Sequence, residues 1–167
     1  MLRWLMASDV ALYIGANAWA QQALETVHML AFSAMIGAIA VADLRLLGRG
    51  RSLPPDAWWP LVNWIAWAAM LALTVSGVLM FLPRAEPIAL RTAFQIKMGL
   101  LVLALANLVY IQHRTRQLAL VGGGGAQVPI ALQAMAAASL LLWAATIITA
   151  RFMYAIDQVL GTTRQGL

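Results

Sequence analysis

Apolar residues dominate four long stretches of this chain, and most charged residues fall between them. The first stretch runs from about Ala20 to Leu46, with Gln21, Gln22, Glu25, His28 and Asp43 as its main polar interruptions. Gly48, Arg49, Gly50 and Arg51 then break the pattern, and Pro54-Pro55 cannot continue a helix. A second stretch covers about Trp58 to Leu82 and is closed by Pro83. The third runs from about Ile88 to His113, and the fourth from about Pro129 to Tyr154. Each meets the ~20 residues a helix needs to cross ~30 Å of hydrocarbon. Ahead of them, Ser8 to Trp19 predicts a short interfacial helix: Ser8 and Asp9 offer N-cap chemistry, and Trp4, Tyr13 and Trp19 suit the headgroup zone. Asp9 interrupts the early apolar run and no small-residue cleavage site follows, so this segment does not read as a signal peptide. The expected fold class is all-α: an integral membrane four-helix bundle with an N-terminal interfacial helix, a single membrane domain over residues 1–167.

Composition agrees. The chain is 63% hydrophobic and 10% charged, with mean hydropathy +0.81. A soluble domain is about half apolar and about a quarter charged, so the partner expected here is the lipid bilayer. A homo-oligomer or a larger membrane complex stays open. Cysteine is absent, which excludes disulfides, thiolate metal sites, thiol nucleophiles and iron–sulfur ligation. The net charge of +5 does not form a soluble basic face, so no nucleic-acid partner is expected. Arg45, Arg49 and Arg51 follow the first span, and Arg114 and Arg116 follow the third; Arg84 and Arg91 between them are partly balanced by Glu86. The positive-inside rule then places those two basic loops in the cytoplasm and both termini outside. Gly122 to Gly125 lack the Gly-Lys-Ser/Thr ending of a phosphate-binding loop and read as a linker.

Helical rise of ~1.5 Å per residue turns position into depth. Counted from the outer ends, His28 and Lys97 lie about 12–13 Å deep, Thr74 and Thr146 near 12 Å, and Trp143 somewhat deeper. Glu25 stands one turn from His28 on the same face. Buried ionisable groups in a membrane are where function is sought first, and neither Glu25 nor Lys97 sits in hydrocarbon unpaired without cost. A Glu25–Lys97 ion pair beside His28 is the expected geometry, although a lysine stem also reaches towards the interface. Thr74, Ser76, Thr146 and Asn107 suit helix-to-helix hydrogen bonds. Asp43, Arg45, His113 and Arg114 form a second group at the cytoplasmic edge, read as a structural anchor in which Asp43 pairs with Arg45 or a cation of the third span.

Specific chemistries divide on these residues. Haem b held by two histidines needs both at one depth, whereas His28 and His113 lie roughly 25 Å apart in depth; histidine–methionine ligation remains open through Met98 or Met29. Cu(I) accepts imidazole and thioether ligands, and Met29, Met80, Met98 and Met153 lie near the outer face. Met29 points about 100° away from His28, so the metal case rests on His28 and Glu25. No zinc-protease helix, nucleophile elbow or paired aspartates appear, and a rhomboid-like pair needs Ser33 or Ser76 beside His28. An enzyme is therefore not expected.

The strings Glu25-Thr-Val-His28, Val41-Ala-Asp43-Leu-Arg45-Leu-Leu-Gly48 and Phe94-Gln-Ile-Lys97-Met98, with Asn107, resemble a four-span bacterial membrane family of unknown function. That family is distantly similar to the membrane part of copper-resistance D (CopD) proteins. The resemblance covers about Ser8 to Trp143 and implies an inner-membrane four-helix bundle that handles copper at its outer face. The function expected is therefore non-enzymatic metal handling, with copper as the ion, His28 as a ligand, Glu25 as a ligand or supporting acceptor, and Lys97 as the balancing charge. Two alternatives stand beside it: a haem-binding or quinone-linked electron-transfer subunit, and an accessory subunit whose polar layer only packs helices.

Overall fold

Helix caps and prolines set the element boundaries in the computed structural model, which describes residues 2–49, 55–122 and 128–159. A first turn, α1 (Arg3–Met6), leads to α2 (Asp9–Ala16), whose N-cap Ser8 accepts a hydrogen bond from the Ala11 N–H at 3.3 Å. The interfacial helix thus starts where its cap predicts, but it stops earlier than Trp19. Asn17 adopts an extended conformation, and its Oδ1 accepts from the Trp19 and Ala20 N–H groups, so it caps α3 (Ala18–Leu46). Gln21 folds back to donate to the Ile14 and Gly15 carbonyls, both at 3.0 Å, which satisfies the orphaned end of α2.

The second span, α4 (Pro55–Phe81), begins on a proline rather than after it. Proline at the first helical position loses no intrahelical bond, so Pro55 opens the helix that the sequence pattern starts near Trp58. Pro83 ends it through a 3₁₀ turn, Leu82–Arg84, followed by α5 (Ala85–Ala89). The third span, α6 (Thr92–Gly122), starts after α5 and continues well past His113. Arg114 and Arg116, expected in a loop, therefore stand on helix, where Arg and Gln are at ease. α7 (Ile130–Arg151) ends at Phe152, and α8 (Met153–Val159) follows. Gly50, Arg51, Pro54 and Gly123 to Gly125 lie outside the described residues, as do the side chains of Trp58 and Tyr154.

Four helices, α3, α4, α6 and α7, form the bundle, and the described residues contain no strand. The closest approaches are α3 with α4 and α6 with α7, and α3 also packs on α7. Small residues permit this: Ala31 and Ala38 on α3, Ala66 and Ala69 on α4, Ala104 on α6 and Ala136 on α7 are all buried. α4 and α6 meet instead through large side chains, with Phe81 stacked on Phe94 at 5.6 Å and Trp67 donating to Gln112. Met35, Ile39, Met70, Leu108 and Trp143 fill the centre. The outward faces are apolar, with Met29, Trp64, Leu71, Val102 and Leu141 all well exposed, and all four helices are long and apolar enough to cross a membrane. That inverted pattern fits hydrocarbon as solvent, so the chain is a multi-pass membrane protein.

One end of the bundle is capped. There α1, α2, the 3₁₀ turn, α5 and α8 gather over the ends of the spans, Arg3 pairs with Glu86 at 3.1 Å, and Asp157 of α8 accepts from the Ala93 N–H at the start of α6. The carboxylate at a helix N-terminus is favoured by the dipole as well as by the bond. The other end, where α3 finishes and α7 begins, carries none of these short helices and is here termed the open end.

Candidate functional site

His28 stands on α3 in the half of the bundle nearer the capped end, facing α4. Its Nδ1 lies 2.9 Å from Ser76 Oγ, and the Leu73 carbonyl is a further neighbour of the ring. Ser76 Oγ is in turn 2.7 Å from the Ala72 carbonyl and 3.2 Å from that of Leu73. With the serine's one proton donated to the helix carbonyl at 2.7 Å, Oγ accepts from His28 and the ring proton sits on Nδ1, the tautomer this geometry favours. Nε2 keeps its lone pair and has no partner among the described residues. Gly77 makes this approach possible, because a Cβ there would stand 3.2 Å from the imidazole Cε1. The ring is thus clamped on one edge and open on the other.

The expected companions divide. Lys97 of α6 is partly buried and close enough to His28 for their charges to interact, so the depth count placed it in the right layer. It forms no ion pair with Glu25, which is exposed. The reason is topological: α3 packs against α4 and α7, which leaves α6 diagonally across from Glu25. Thr74 also departs from expectation. Two residues from Ser76 is more than half a turn of helix, so Thr74 faces outward and donates to the Met70 carbonyl at 2.8 Å. Ser76 takes the place assigned to it. Thr146 is buried on α7 and bonds the Leu142 carbonyl, and Trp143 lies one turn deeper in the core.

The group at the open end is rearranged more thoroughly. Asp43 forms no ion pair with Arg45 or His113; it is 1% exposed and turned into the bundle. Met35, Ile39, Asp43 and Leu46 share one face of α3 and all are buried, so the carboxylate occupies a core position while Arg45, two residues on, points elsewhere. Ser139 of α7 lies beside the carboxyl, and among the described residues Asp43 Oδ2 and Ser139 Oγ make no hydrogen bond that meets geometric criteria. Nearby, Asn107 donates to the Met135 carbonyl at 3.1 Å, and its Oδ1 and the Trp143 Nε1 also lack partners. His113 instead meets Gln117 at 3.0 Å on the exposed face of α6, and Arg114 bonds the same glutamine. The anchor reading of Asp43 is corrected; His113 and Arg114 do stay at the surface.

Among the described residues no three His, Cys, Asp or Glu side chains gather as a metal cluster. Ser139 was missed in the sequence, yet it stands four and seven residues before Trp143 and Thr146, on one helical face. No family model matches this chain, and comparison with curated proteins and with solved structures returned no similar protein.

Proposed function

We propose that this is a non-enzymatic inner-membrane protein that binds a metal ion, copper, at His28, with the capped end and both termini outside the cytoplasm. The observation that carries the reading is the state of the imidazole. A metal-binding histidine characteristically donates its second N–H to a fixed acceptor, which sets the tautomer and aims the ligating nitrogen. Here Nδ1 is committed to Ser76, itself anchored on a helix carbonyl, and Nε2 is open. Glu25 stands one turn outward on the same face of α3, and Met80 one turn outward of Ser76 on α4. Imidazole with thioether suits Cu(I), and the positive charge of Lys97 nearby opposes a divalent ion more than a monovalent one. The resemblance to CopD-related proteins points the same way.

The contact between Ser76 and His28 does not favour hydrolysis. Ser76 is 2% exposed and its proton goes to the Ala72 carbonyl, so no substrate reaches the oxygen and the base is on the wrong side of the hydrogen bond. A second reading has its own support: Lys97, partly buried and without an acidic partner among the described residues, together with His28 suits the carbonyl of a quinone. Anaerobic Cu(I) titration against a competing chelator tests the first reading. Wild type is expected to bind one ion tightly and His28→Ala to lose it; equal copper in both proteins would sink it, and a quinone-dependent rise in thermal stability of the wild type alone would favour the second.

A further inference from the structure

Asp43 is a carboxyl in the interior with no group of opposite sign paired to it among the described residues. Its carboxyl edges a cavity of about 20 Å³ between α3, α4 and α6, large enough for one water-sized occupant. Asn63 of α4 and Gln112 of α6 bring amide groups to the cavity, and Trp59, Leu108 and Ile111 supply much of its apolar wall. No Lys, Arg or His is among the residues lining it. Behind the carboxyl, Ser139 Oγ on α7 is fully buried and unpartnered. Removing a carboxylate from water without compensation costs several kcal/mol. Asp43 Oδ2 and Ser139 Oγ are thus two buried oxygens without a hydrogen-bond partner among the described residues, which is unusual in a packed interior.

We propose that Asp43 forms a second binding site, at the open end of the bundle, for one small dehydrated monovalent cation of sodium size. The carboxylate supplies the charge and the Asn63 and Gln112 side chains bring amide groups to the ion across the cavity, the Gln112 oxygen while also accepting from Trp67. A water alone fills the cavity but leaves the carboxylate uncompensated; a proton on the carboxyl together with that water is the competing occupancy, which the pH dependence of melting distinguishes. A calcium-like ion calls for more oxygens and more than one acid. The site is independent of His28: Met35 and Ile39 of α3, Met70 of α4 and Trp143 of α7 close the bundle between them.

Thermal unfolding of the purified full chain tests this in NaCl, KCl and choline chloride at equal ionic strength. Sodium is expected to raise the melting temperature saturably above the other two salts, and Asp43→Asn is expected to abolish the difference. If Asp43→Asn yields no folded protein, Asn63→Ala reads the same site, with the half-saturating sodium concentration raised about tenfold, the loss of one good ligand bond. Equal melting in all three salts overturns the proposal, as does a sodium effect that survives Asp43→Asn or is unchanged by Asn63→Ala. A melting temperature that follows pH and ignores sodium assigns the compensating charge to a proton and overturns it too.

Discussion

The two halves of the bundle handle buried polarity in opposite ways. Near the capped end, His28 is held by Ser76, Ser76 by a helix carbonyl, and Gly77 clears the space for the ring. Each of these hydrogen bonds has a donor and an acceptor, and the imidazole Nε2 has no partner among the described residues. Near the open end, Asp43, Ser139 and Asn107 are buried too, but they leave oxygens unpaired among the described residues. The first arrangement is a preorganised ligand; the second is a receptacle whose stability depends on what enters it. Between them Met35, Ile39, Met70 and Trp143 form a dry layer, so the two are chemically separate.

Four substitutions put that contrast under strain. Trp143→Ala removes the largest side chain of the dry layer and should cost about 3–5 kcal/mol in reversible unfolding, more than any change at either site. A cost below that of a polar-site variant would mean the layer does not hold the halves apart. Asp43→Leu replaces an uncompensated charge by an apolar group of similar volume, so in sodium-free buffer it should stabilise the protein by about 1–4 kcal/mol. Destabilisation in that buffer would show that the carboxylate is already compensated. Ser76→Ala leaves the imidazole in place but unclamped; Cu(I) affinity should fall about 10–100-fold while stability falls by about 1 kcal/mol or less. Affinity within twofold of wild type would remove the clamp from the account. Thr74→Val lies on the outward face beside the site and should change neither copper binding nor unfolding by more than ~0.5 kcal/mol.

Much of the architecture was legible because hydrocarbon imposes a simple rule: long apolar runs cross it as helices and end where proline or a capping side chain permits. Boundaries were less legible where the same residue type has two uses. Pro55 was read as a stop and is a start, and Asn17 carried no hydropathy signal though it divides α2 from α3. Depth along a helix was also readable, which is why His28 and Lys97 were placed in one layer. Azimuth was not, because apolar residues surround these helices and no amphipathic face marks the interior. Thr74 and Ser76 sit at nearly one depth on opposite sides of α4, and only packing decides which of them meets His28. The same blindness sets Asp43 at the interface beside Arg45, whereas packing puts it on the face of α3 that buries Met35, Ile39 and Leu46.

Cu(I) affinity measured side by side on wild type, His28→Ala and Asp43→Asn tests the central claim most directly. A preorganised imidazole at the capped end predicts tight binding in wild type and Asp43→Asn, and its loss in His28→Ala alone. Retention in His28→Ala, or loss in Asp43→Asn with the fold intact, would contradict it.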